Sequence, residues 1–143
     1  CGFIAAPRDW VEGLADLKLA TTFGGAALSA GLVLTLLQDG SYRRHMDALR
    51  RRLARAMTET AGRLAAIGVT PWLEPRAGMF LWCRLPEGRD STAIARRCLE
   101  ENVVLAPGNV FSVSQSASAF LRFNVAQLGD ARIFAALERA MEG

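Results

Sequence analysis

Lysine is nearly absent from this chain: of 17 basic residues in 143, only Lys18 is not an arginine. Codon usage is a better account of that bias than function. Histidine is as scarce. His45 stands alone, with no second His or Cys at ligand spacing, and reads as a surface residue. The cysteines Cys1, Cys83 and Cys98 form no CxxC or Cys/His pattern, which argues against a disulfide framework and a zinc site. Cys83 and Cys98 fall inside apolar patterns and read as buried, inert thiols. No signal peptide, repeat or low-complexity segment is visible, and a cytoplasmic protein is the expectation. The one long uncharged run, Leu19 to Gln38, is broken by Thr21, Thr22, Gly24 and Gly25. About 14 helical residues remain, fewer than the roughly 20 that cross a bilayer, so a buried packing helix is expected there and no membrane partner.

What is present suits a folded α/β chain. Hydrophobic residues make up 51% and charged residues 22%, with a net charge of +3. The length allows one ordinary core, or one domain with a remnant of another. Cys1 to Pro7 reads as a buried-strand run stopped by proline, with nothing before it to pair with. Asp9 can cap a helix carrying Trp10, Leu14 and Leu17. A second helix from Ala26 to Leu37 is apolar nearly all round and must be covered by neighbours.

After a break at Asp39-Gly40-Ser41, Met46, Leu49, Leu53, Ala56, Thr60, Leu64 and Ile67 recur at helical spacing. A long helix is expected, stopped by Gly68. Thr70 to Glu74 and Met79 to Leu85 read as a hairpin. A helix capped by Asp90 or Ser91 follows, with Ile94, Cys98 and Leu99 inward. Val103 to Leu105 reads as a brief buried strand and Phe120 to Ala126 as another. A last helix runs from Asp130 to Met141, burying Ile133, Phe134, Leu137 and Met141. The order is two helices, a long connecting helix, then β-β-α-β-β-α, with a boundary near Gly40.

Arg122 is the sharpest candidate for function. Strand alternation puts it with Phe120 and Asn124, opposite Leu121, Phe123 and Val125. A guanidinium in an apolar strand needs a partner, and a carboxylate matches its planar fork best. An internal Asp or Glu and a bound ligand both satisfy that need, and spacing alone leaves both open. Pro107-Gly108-Asn109-Val110-Phe111 is a Pro-Gly turn in which Gly108 can take a positive φ and allow a close backbone approach. Trp82 reads as core. Arg43, Arg44, Arg50, Arg51, Arg52 and Arg55 form a basic cluster. Only Tyr42 supplies an aromatic there, so a solvated helix face is a better reading than a nucleic-acid surface.

The block RAGMFLWCRLP, PGNVF and LRFNVAQ resembles the small C-terminal domain of fold-type I pyridoxal-phosphate aminotransferases, above all the aminotransferase-like half of MocR-type regulators in the GntR superfamily. The resemblance implies a small α/β sandwich at residues 41–143 behind the end of a large domain at residues 1–40. It implies that Arg122 holds the carboxylate of an amino-acid-like ligand, and that Gly78, Pro107, Gly108, Phe111 and Asn124 line the pocket. The family's GGxFxW element is matched with Ala77 in place of its first glycine. The lysine and arginine that bind pyridoxal phosphate in the family precede the segment matching Gly2-Phe3-Ile4. Only the back part of the domain is therefore expected here, with no catalytic group and no cofactor of its own. Lys18 is not expected to take over. The resemblance further implies a homodimer, and DNA binding through a separate N-terminal winged helix. A stand-alone aminotransferase shares every one of these residues and stays open as the alternative.

Overall fold

The structure, a computed structural model, describes residues 2–142; Cys1 lies outside them. The chain divides after Asp47 into two compact units.

In the first unit, residues 2–7 form no strand, and Phe3 and Ile4 are exposed. The expected strand fails because no partner among the described residues takes up its backbone hydrogen bonds. Helix α1 (Arg8–Thr22) starts after Pro7. Asp9 does not cap it: the residue falls inside the first turn, where its charge faces the positive helix end, and no side-chain cap bond forms. Phe23, at φ 55°, turns the chain out of the helix. Helix α2 (Ala27–Gln38) corresponds to the expected buried helix, yet neither α1 nor α2 buries a residue. A helix apolar on every side needs cover all round, which a unit this small does not provide. No single helix among the described residues is long and apolar enough to cross a membrane.

Helix α3 (Ser41–Ala66) begins where the Asp39 carboxylate accepts a bond from the Ser41 amide at 2.7 Å. It buries Thr60 and Leu64, with Leu53, Ala56, Met57 and Ala61 partly covered. The six arginines of its basic cluster are exposed. Gly68 closes it at φ 79°. The Gly68 amide donates to Ala65 O and the Val69 amide to Leu64 O, which satisfies the last carbonyls while Val69 and Leu64 pack together.

Strands β1 (Thr70–Pro71) and β2 (Phe80–Arg84) form the expected hairpin with a first strand shorter than expected; the Trp72 amide still reaches Trp82 O at 2.8 Å. Helix α4 (Ser91–Glu100) is capped by Asp90, which accepts from the Ala93 amide at 2.8 Å. Ile94 and Cys98 point inward, but Leu99 is exposed, one residue round the helix from Cys98. Strand β3 is Ala106–Pro107, not residues 103–105, and Val104 faces solvent. The Val103 amide is turned back to Cys98 O, so the run leaves α4 before it reaches the sheet. Strand β4 (Phe120–Asn124) and helix α5 (Ala131–Glu142) complete the chain.

The sheet runs β1-β2-β4-β3, every neighbour antiparallel. With five α-helices and four strands among the described residues the fold is α/β, as the sequence implied. One core cluster joins Leu64, Leu81, Cys83, Ile94, Cys98, Leu121, Phe123 and Leu137. Burial raises the Cys83 thiol to about 12, an inert form.

Candidate functional site

Two central strands build the site by alternation. Leu81, Cys83, Leu121 and Phe123 are buried in the core, so Phe80, Trp82, Arg84, Phe120, Arg122 and Asn124 lie on the other face. Trp82 therefore belongs to this outer face and not to the core. Register sets Trp82 opposite Arg122, Phe80 opposite Asn124 and Arg84 opposite Phe120. Trp82 stacks on Phe120 with ring centres 5.4 Å apart and 10° between planes. Phe111 and Trp72 meet the stack edge-on.

Arg122 sits among these rings. Its guanidinium carbon lies 3.9 Å from the centre of the Phe111 ring and 4.6 Å from that of Phe80. Rings attract the cation but accept none of its N–H bonds in the plane of the fork. Among the described residues Arg122 forms no ion pair. It opens onto a cleft of about 900 Å³ that Arg132 and Arg139 also line. Those two are engaged, Arg132 by Asp130 and Arg139 by Glu101. The hydrogen bond from Arg139 holds the Glu101 carboxyl below its usual range. Among the described residues, Arg122 is left as the cleft's arginine without a carboxylate.

The turn that carries Phe111 is fixed by its own packing. Pro107 pairs with Leu121 at the sheet edge and opens the short 3₁₀ turn Gly108–Phe111. Gly108 is buried and does not use the positive φ its sequence allowed; the requirement is room. A Cβ there would collide with Ala117 O and stand 2.8 Å from Phe120 O. Asn109 Oδ1 accepts from the Ala117 amide at 3.0 Å, and Gln115 Nε2 donates to Asn109 O and Ser112 O. Asn124 lines the cleft while its side chain accepts from the Ala126 amide at 3.1 Å. Gly78, at φ 102°, lies elsewhere, lining a second cleft of about 480 Å³ with Leu53, Met57 and Leu81. The structure thus groups Arg122 with Phe111 and Asn124, sets Pro107 and Gly108 behind Phe111, and leaves Gly78 apart. Phe80 escaped notice in the sequence, although period-two alternation from Leu81 and Cys83 marks it and Trp82 as outward-facing.

The family model for aminotransferase class I and II matches residues 1–139. The HTH-type transcriptional regulator YisV of Bacillus subtilis is 28% identical over 90% of this chain and 27% of its own length. The 2-aminoadipate transaminase of Thermus thermophilus is 31% identical over 99% of this chain and 36% of its own length. Among solved structures, LysN, an α-aminoadipate aminotransferase of the same organism complexed with N-(5'-phosphopyridoxyl)-L-leucine, superposes with TM-score 0.79. It is 30% identical and is matched over 97% of this chain and 37% of that one. The chain thus spans about a third of the length of these relatives. The single lysine, Lys18, belongs to α1, and no lysine stands on the outer sheet face.

Proposed function

This chain belongs to the class I and II aminotransferase family, and from that premise we propose that it is the carboxylate-binding side of an amino-acid site. Residues 1–40 would be the end of the large cofactor-binding domain and residues 41–143 the small domain. The observation that carries the reading is Arg122, a half-buried guanidinium without an ion pair among the described residues, beside a cleft whose other arginines are taken. In the complete protein, pyridoxal phosphate supplies the amino-group chemistry, and Arg122 holds the ligand's α-carboxylate through its two-pronged fork. Pro107, Gly108, Phe111 and Asn124 shape that end of the pocket. The parent is a MocR-type regulator that senses an amino compound and contacts DNA through a separate winged-helix domain. Similarity to the HTH-type regulator supports this reading. The second reading, a stand-alone aminotransferase passing an amino group between an amino acid and a 2-oxo acid, is favoured by similarity to a transaminase along nearly the whole of this chain, which matches 36% of that enzyme. Either parent works as a two-fold dimer, which would cover the apolar side chains of α1 and α2.

The test uses the complete protein. Arg122→Ala weakens amino-acid binding at least tenfold in calorimetry and leaves pyridoxal-phosphate binding nearly intact. Unchanged amino-acid affinity would remove Arg122 from the role. Operator binding that responds to the ligand, without turnover of a 2-oxo acid, favours the regulator; turnover without DNA binding favours the enzyme.

A further inference from the structure

We propose that Phe80 and Phe111 are positioning residues that hold the Arg122 guanidinium ready for a carboxylate, and that the site's selectivity for acids over amines depends on them. The inference rests on the role of Arg122 given above. An arginine side chain has many rotamers, and fixing one on binding weakens the complex. Here the cost is met before the ligand arrives. Two rings from different elements, β2 and the 3₁₀ turn, bring their centres within 4.6 and 3.9 Å of the guanidinium carbon. They attract the charge while leaving the in-plane N–H groups unspent. An Asp or Glu would have held the cation as firmly, but it would also have consumed the fork.

The second ring is itself held. Gly108 packs where no side chain fits, Asn109 Oδ1 accepts from the Ala117 amide, and Gln115 Nε2 donates to Asn109 O and Ser112 O. Phe111 also meets Trp82, the residue opposite Arg122, at 6.0 Å and 81°. Phe80 and Phe111 nevertheless stay about half exposed, at 45% and 44%, so neither is needed to close the core. Two aromatic side chains left part-exposed around one cation are better explained by what they do to that cation than by packing.

The test compares two probes on the complete apo-protein, N-(5'-phosphopyridoxyl)glycine and N-(5'-phosphopyridoxyl)methylamine. They differ only in the carboxylate, and their shared part binds whatever side chain the natural ligand carries. The quantity read is the ratio of their affinities. Phe111→Leu keeps bulk and loses the ring; it and Phe80→Leu should each lower the ratio about three- to tenfold, with methylamine-adduct affinity unchanged. Phe111→Trp should restore it, and Phe111→Leu should add nothing once Arg122→Ala is present. A full ratio in both leucine variants, with the ratio lost in Arg122→Ala, overturns the positioning role and leaves the carboxylate role standing. A ratio indifferent to Arg122→Ala overturns both. Equal loss of affinity for both adducts would mark the rings as merely structural and would also overturn the proposal.

Discussion

The two faces of the sheet come from the same ten residues of β2 and β4, yet they are finished to different degrees. On the inner face, Leu81, Cys83, Leu121 and Phe123 are all but inaccessible. Helices α4 and α5 and the end of α3 cover them, and nothing further is required. On the outer face Phe80, Trp82, Arg84, Phe120, Arg122 and Asn124 remain partly open, and neither Arg84 nor Arg122 forms an ion pair among the described residues. The inner face specifies the fold. The outer face is where chemistry with other groups is still available, and one strand separates the two purposes by a single residue step.

Substitutions that exchange the purposes should give opposite profiles. The largest expected effect is on the inner face: Leu121→Ala should lower unfolding free energy by about 2–5 kcal/mol, because the fully buried side chain leaves a cavity. Gly108→Ala comes next. Its Cβ has no room against Ala117 O, so the turn must move at a cost of about 1–3 kcal/mol, and carboxylate affinity should fall with it as Phe111 shifts. Denaturant unfolding reads the first quantity and the paired adducts the second. Arg122→Ala reverses the pattern: a stability loss of only about 1 kcal/mol, from two part-exposed ring contacts, but at least a tenfold loss of amino-acid affinity. Should Arg122→Ala prove as destabilising as Leu121→Ala, the division between faces fails.

The smallest effect is at the rim, where Arg139 bonds Glu101. The Glu101 carboxyl titrates below its ordinary 4.5, so the pair adds stability above that pH and loses it as the pH falls through the folded value. Glu101→Gln should slightly flatten the acid side of a stability–pH curve and leave its shape unchanged above about pH 6. Such an exposed pair is weak in salt.

The fold was legible wherever a periodic pattern met a local stop signal. The stripe of α3 with Gly68, the Asp90 cap and the alternation of β4 are written in adjacent residues. What could not be read depended on partners far along the chain. Phe3-Ile4 has strand composition but no neighbour, Val104 is drawn off the sheet by α4, and α2 lacks a cover among the described residues. Arg122 was visible as a lone charge in an apolar strand. Its aromatic clamp was not, because Phe111 and Phe80 are 31 residues apart in sequence and meet only through the fold of the sheet. Gly108 drew attention for its backbone freedom, whereas the structure requires its small size.

The most direct measurement is a crystal structure of the complete protein with N-(5'-phosphopyridoxyl)glycine. The account predicts both carboxylate oxygens within about 2.7–2.9 Å of the Arg122 guanidinium, with Phe80 and Phe111 still flanking it. A carboxylate held by a different cation, with Arg122 turned away to an acidic side chain, would contradict it.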